Sequence, residues 1–180
     1  MTRPRVLLDA CVLVPATTRG LLLGAAEAGF FTPLWSPMIL AEWSHAARRY
    51  SEAMGAQAAT EQALMTHRFP EASVPPLPNP EVTLPDRDDE HVLASAVAGQ
   101  ADELLTANIS DFPIRVLAAF DILRRHPDEF LLELAQAHPA AMTKIAQNVL
   151  MSLPDGQDAR RVFKKSGLNR FAKHMSAKLG

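Results

Sequence analysis

No lysine occurs before Lys144, and cysteine occurs once, as Cys11. A lone cysteine excludes an internal disulfide and any zinc site built on paired thiolates, and it fits a reducing cytoplasm. Long hydrophobic runs are missing too. Stretches such as Leu21-Leu22-Leu23-Gly24-Ala25-Ala26 stop well short of the roughly 20 apolar residues that a membrane span needs. The start, Met1-Thr2-Arg3-Pro4-Arg5, runs into a strand-like segment without the apolar region and small-residue cleavage site of an export signal. Internal repeats and low-complexity tracts are absent. These absences point to a soluble, cytoplasmic protein with no membrane partner.

What is present is ordinary for a globular chain: 180 residues, 48% hydrophobic and 21% charged, enough for one sizeable core with a small appendage and no staples. Charge is unevenly spread. Asp158 to Gly180 holds seven Lys/Arg against one Asp, a net +6, so the residues before it carry −8 of the total −2. An acidic body argues against a surface that grips nucleic acid throughout, whereas the basic tail leaves open a local phosphate contact, and bulk charge alone does not decide between them.

Arg5 to Asp9 reads as a short buried strand and Thr17 to Ala28 as a Leu/Ala-rich helix stopped by Gly29. Phe30 to Trp35 has the content of a second strand, and Ser36-Pro37 opens a helix with Ser as N-cap and Pro at its first position. Gly55 to Phe69 is a further helix. A proline-dense connection from Pro70 to Pro85 follows, with a short strand expected near Val74 or Val82. Asp88 to Ala98 is a helix ended by Gly99, Glu103 to Thr106 a strand, Ile122 to Arg124 another, and Pro127-Asp128 starts a helix reaching Ala137. Strands alternating with helices indicate right-handed crossovers and a mostly parallel sheet covered on both faces. Ligands then bind beyond the carboxyl ends of the strands.

Acidic groups stand where such a site belongs: Asp9 after Val6-Leu7-Leu8, Glu42 early in the helix after the second strand, Asp88-Asp89 before Val92-Leu93-Ala94, and Asn108 with Asp111 after Thr106. Taken singly, each has a plain reading as a strand-end turn or a first-turn carboxylate. Together, carboxylates near a core repel by about 4 kcal/mol per close pair at 4 Å unless a cation intervenes. A divalent metal is the simplest such cation, and an all-oxygen set suits Mg²⁺ or Mn²⁺.

The phrases Leu7-Leu8-Asp9-Ala10, Glu42 in its helix, Asp89-Glu90-His91-Val92-Leu93-Ala94-Ser95-Ala96 and Thr106-Ala107-Asn108-Ile109-Ser110-Asp111-Phe112-Pro113 resemble, in order and spacing, those of the PIN-domain nucleases, especially VapC-type toxins. The resemblance runs from residue 5 to about 135. It implies a three-layer α/β/α PIN-like domain with a short, mostly parallel sheet over residues 1–138, plus a helical C-terminal extension over 139–180. It further implies a Mg²⁺-dependent endoribonuclease, with Mn²⁺ as the alternative ion, acting as the toxin of a type II toxin-antitoxin pair. The implied partners are RNA, a cognate antitoxin and a second copy of the chain. Asp9, Glu42 and Asp89 are the implied metal ligands and, with Asp111, the catalytic residues; Thr106 and Asn108 are the implied substrate-binding residues. Many family members carry Asp where this chain has Asn108, so Asp111 is either the replacement charge or a group behind the ligands. Asp88 is the alternative to Asp89, and Asp86 is a third candidate.

Two rivals follow from the same residues. A receiver-like phosphoacceptor domain also gathers acids at strand ends, but it needs an acidic pair at the first strand and a late lysine, whereas Asp9 is followed by Ala10 and Cys11. A non-catalytic PIN-like RNA- or partner-binding module is kept open by Asn108. Trp35, Trp43, Phe30 and Phe31 read as core and Cys11 as a small apolar group; His45, His67 and His91 share no metal spacing, and His91, two residues from Asp89 and so on another side of the helix, reads as structural. Arg48 and Arg49 read as a solvated helix end or as phosphate contacts. Beyond Pro139 the pattern is helical, broken at Pro154-Asp155-Gly156 and Gly167. In the last helix Leu168, Phe171, Ala172, Met175 and Leu179 form one stripe, with Arg170, Lys173, His174 and Lys178 around it. That basic helix is a packed strut, an RNA clamp or a dock for an acidic antitoxin segment.

Overall fold

The structure, a computed structural model, describes residues 3–75, 82–154 and 157–179. Strand β1 (Arg5–Leu8) is the buried run Val6-Leu7-Leu8, and its apolar side chains leave no solvated face, as expected of a central parallel strand. It leads into a single helical turn, α1 (Ala10–Leu13), and then α2 (Ala16–Glu27). Gly29 ends α2 at φ +81°, donating to Ala26 O while Phe30 N donates to Ala25 O. Both bonds satisfy carbonyls that the helix leaves over, and the left-handed backbone they require favours glycine.

Strand β2 (Thr32–Leu34) is followed by α3 (Pro37–Tyr50), whose N-terminus is capped by Ser36 Oγ accepting from Ile39 N. Ser51 caps α4 (Glu52–Arg68) in the same way through Met54 N, so this helix starts three residues before the expected Gly55. The strand expected near Val74 or Val82 is reduced to one parallel bridge between Trp35 and Ser73, and residues 76–81 lie outside the described residues.

A turn of 3-10 helix (Arg87–Asp89) precedes α5 (Glu90–Ala98), and β3 (Glu103–Leu105) follows. Then come α6 (Ile114–Ala118), β4 (Leu123–Arg125), α7 (Pro127–Ala137) and α8 (Pro139–Met151). The chain ends in α9 (Ala159–Lys165) and α10 (Asn169–Leu179). Asp155 and Gly156 of the expected break lie outside the described residues.

The four strands are parallel in the order β2-β1-β3-β4. The chain leaves β1 toward β2 on one side and later enters β3 on the other. With right-handed crossovers this puts α2, α7 and α8 on one face and α5 on the opposite face, a three-layer α/β/α arrangement. The place where the connections diverge, between the carboxyl ends of β1 and β3, is the usual binding crevice of such sheets.

The C-terminal helices share this core. Met142, Ala146, Phe163, Leu168, Phe171 and Met175 are buried in the same cluster as Val6, Leu7 and Leu22. Helix α8 sits tight on α2 because Gly20 and Gly24 carry no side chain there. A Cβ would come within 3.0 Å of Val149 Cγ2 at Gly20 and 2.7 Å of Ile145 Cγ2 at Gly24. Among the described residues no helix is long and apolar enough to cross a membrane.

Candidate active site

Register decides what meets at the crevice. Leu8 pairs with Leu105, and Asp9 N donates to Leu105 O at 3.1 Å, so the next residues of the two strands, Asp9 and Thr106, are neighbours. Asp9 is only 4% exposed. Its Oδ2 accepts from Thr106 Oγ1 at 2.7 Å and from Cys11 Sγ at 3.0 Å. Among the described residues Oδ1 accepts nothing, which leaves one oxygen of a buried carboxylate for the crevice.

Two expectations change here. Thr106 was expected to touch substrate, but it is 0% exposed; its hydroxyl donates to Asp9 and accepts from Asn108 N at 3.0 Å. It positions Asp9 and the following loop instead. Cys11 is no inert apolar group. Its sulfur accepts from Ala107 N at 3.2 Å while donating to Asp9. Burial first, and then the Asp9 charge, push this thiol up to about 12, so it stays a donor rather than a thiolate.

Asp89 enters from the 3-10 turn on the opposite layer. Its carboxyl is pushed up to about 6, by burial first and then by the charges of Asp9, Asp111, Asp86 and Glu42. Asp88 is exposed, and Asp86 is spent on capping, its Oδ1 accepting from Asp88 N at 2.9 Å. Of the three neighbouring acids it is therefore Asp89 that feels the others. Asp111 contributes its charge from the loop after β3, where Asn108 is exposed and contributes a backbone carbonyl to Asp111 N. Arg124 holds that loop from β4, donating to Ile109 O at 2.6 Å and Phe112 O at 2.8 Å.

His91 also belongs to the site. Helical phasing from Asp89 places it elsewhere, but Asp89 lies in the 3-10 turn before α5, so that phase does not apply. His91 Nε2 meets Glu42 Oε1 at 2.6 Å. This hydrogen bond raises the His91 pKa, burial opposes it, and the charges of Glu42, Asp9 and Asp89 add to the rise. When protonated, His91 brings a positive charge to Glu42 at the rim of this acidic group. Glu42 is half-exposed and turned to this partner. Among the described residues, no three His, Cys, Asp or Glu side chains stand close enough together to hold one metal ion. The set fits a hard divalent cation in donor type and in its uncompensated charge, and closing it requires the carboxylates to turn toward one another.

The titrations set a sign for stability without divalent cations. Asp89 and His91 both bind protons more tightly folded than unfolded, so stability falls as pH rises through their windows. For Asp89 the window runs from 3.8 to about 6; for His91 it begins at 6.5 and ends at its raised folded value. In EDTA the melting temperature is therefore expected to be higher at about pH 5.5 than at about pH 8. Asp89→Asn removes the lower part of that slope. A melting temperature that rises steadily between the two pH values would contradict the convergence of these groups.

A parallel sheet with carboxylates gathered at the divergence of β1 and β3 defines an α/β protein with an acidic crevice site. Residues 5–110, more than half of the chain, match the family model described as PIN domain, and the chain belongs to that family. The matched span contains Asp9, Glu42, Asp89, His91 and Thr106 and stops just before Asp111. A curated protein of Mycobacterium tuberculosis named "Putative ribonuclease VapC50" is 44% identical over 45 residues, covering 25% of this chain and 27% of that protein. No solved structure matches the chain.

Proposed function

We propose that this chain is a divalent-metal-dependent endoribonuclease of the VapC type, the toxin of a type II pair, with RNA as substrate. The observation that carries the reading is the crevice of a PIN fold in which Asp89, raised to about 6 by burial first, also feels the charges of Asp9, Asp111, Asp86 and Glu42. The short stretch of identity to a protein named as a ribonuclease supports the same direction.

Asp9, Glu42 and Asp89 would hold Mg²⁺ or Mn²⁺, with Asp111 adding charge from its loop. A cation bound there supplies positive charge against phosphate oxygens and lowers the pKa of water, which hydrolysis of a phosphodiester needs near neutral pH. The chain's own groups prepare that site. Thr106 and Cys11 fix the Asp9 carboxylate by one oxygen and leave the other toward the crevice. His91 holds Glu42 while the crevice is unneutralised. Asn108, exposed in the loop after β3, would meet substrate. An antitoxin that covers the acidic crevice, and a second copy of the chain, belong to the same reading, as do residues 139–180 as a C-terminal extension.

A non-catalytic PIN-like module is the second reading, favoured by the Glu42–His91 pair, which occupies one of the intended ligands. Incubating the full chain with single-stranded RNA in Mg²⁺, in Mn²⁺ and in EDTA separates the two. Cleavage that appears with either ion and vanishes with EDTA is expected; RNA left whole in every condition favours the binding module.

A further inference from the structure

The acidic crevice has a polyelectrolyte problem. RNA brings a phosphate at every nucleotide, and a cation at the cleavage point neutralises only the nearest one or two. Flanking phosphates still face Glu42, Asp86, Asp88 and Asp111 on an acidic body. A cationic surface near the same sheet edge would resolve this, and α9 is that surface.

Its position follows from two anchors. Asp128 sits in the first turn of α7, directly after β4, hence at the carboxyl edge where Asp9 lies. Its two oxygens accept from Arg170 N at 2.9 Å and Phe171 N at 2.8 Å, pinning the start of α10 to that edge. At the other end, Gly20 near the start of α2 packs on Val149 late in α8, so α8 also finishes toward the carboxyl edge. Between the end of α8 and the start of α10, both at this edge, lies α9, packed against α2 and α10.

Helix α9 buries Val162 and Phe163, the latter edge-to-face with Phe171 at 5.2 Å. That leaves Arg160, Arg161, Lys164 and Lys165 exposed. With Asn169 they line a shallow cavity of about 540 Å³. Among the described residues none of the four makes an ion pair, whereas Arg170 next to them is engaged by Glu129. Asp158, at the rim, is committed to capping α9 through Arg161 N at 3.0 Å. Four cations on the seven residues of α9, none in an ion pair among the described residues, form a track for a nucleic-acid backbone toward the edge that carries the acidic site.

Resting on the ribonuclease reading, we infer that α9 holds the phosphates of single-stranded RNA flanking the cleavage point, through Arg160, Arg161, Lys164 and Lys165. The contact is to phosphate and independent of base sequence.

The test is made on the full chain carrying Asp9→Asn, in EDTA, so that the RNA is not cut and failure of the nuclease reading does not alter the measurement. Binding of a fluorescent single-stranded RNA is followed across a KCl series. Each phosphate contact contributes about 0.7 to the slope of log K against log salt, so Arg160→Gln, Arg161→Gln, Lys164→Gln and Lys165→Gln together are expected to reduce the slope by roughly 3 and weaken binding at least tenfold. Lys173→Gln with Lys178→Gln, on α10, is the charge control and leaves the slope unchanged.

An unchanged slope in the fourfold variant overturns the inference, as does an equal reduction in the control. So does a poly-glutamate peptide that binds through these four residues while RNA binding ignores them, which would make α9 a dock for an acidic protein segment. As a check without substitution in α9, RNA bearing thiouridine is expected to photo-crosslink to the peptide containing α9; crosslinks confined to residues 5–110 overturn the inference.

Discussion

Asp9→Asn is expected to reduce divalent-dependent RNA cleavage by about 10³-fold, the equivalent of about 4 kcal/mol in transition-state stabilisation. The size follows from where Asp9 stands. Among the described residues it is the carboxylate buried at the divergence of β1 and β3, held by Thr106 and Cys11 through Oδ2 with Oδ1 left over. An amide in its place keeps an oxygen for those two donors but brings no charge and turns an NH₂ group toward the crevice. The fold should be unharmed. A second readout needs neither metal nor RNA: Asp9 is the first of the charges that hold Asp89 at about 6, so removing it moves the Asp89 titration downward. Burial, the largest cause, persists, so the carboxyl stops short of its ordinary 3.8. Carbon-detected NMR titration of Asp89 reads this directly. Cleavage within tenfold of the wild type, in a protein whose Asp89 has shifted as described, would remove Asp9 from the reaction while keeping it in the cluster.

The backbone plan was legible where local chemistry is strong. Val6-Leu7-Leu8 with Asp9 behind it announces a buried strand and its exit, Ser36-Pro37 announces the start of α3, and Gly29 the end of α2. The final helix declared its buried face, with Leu168, Phe171, Ala172 and Met175 inside. Helices α1 and α6 were invisible because four or five residues do not establish a period. The site was legible as a set of acids and illegible as a set of contacts. Thr106 reads as a substrate ligand until the pairing of Leu8 with Leu105 puts its hydroxyl on Asp9. His91 reads as structural while Asp89 is assumed to share its helix, and Glu42, 49 residues away, offers no local hint of the bond between them. Arg124 carries no signal in its own neighbourhood that it would support the Asp111 loop. Tertiary adjacency supplies each of these partners, and one sequence does not contain it.

Arg19→Ala is expected to destabilise the chain by about 3 kcal/mol, the largest effect on stability among the substitutions considered, because several elements meet on this buried side chain. Arg19 is 7% exposed in α2. It donates to Leu13 O and to Val14 O, the last carbonyls of α1, and pairs with Glu61 of α4. Its guanidinium also lies over Trp43 of α3 at 4.5 Å. Burial pulls its pKa below the usual value and Glu61 pushes back, so Glu61 offsets part of the cost of burying this charge. Alanine strips α1 of its C-terminal donors and leaves Glu61 against the same pocket without its cation. Because α1 follows Asp9 directly, the loosened turn also reaches the acidic crevice. At roughly 2–4 °C per kcal/mol for a chain of this size, the melting temperature should fall by about 6–12 °C. Arg19→Lys keeps the charge but cannot serve the two carbonyls and Glu61 in one plane, so it should recover only part of the loss. Glu61→Gln is milder, since Glu61 is partly solvated and its amide still accepts from Arg19. Denaturant unfolding measures all three, and a midpoint for Arg19→Ala equivalent to less than about 1 kcal/mol would sink the argument that this arginine ties α1, α2, α3 and α4 together.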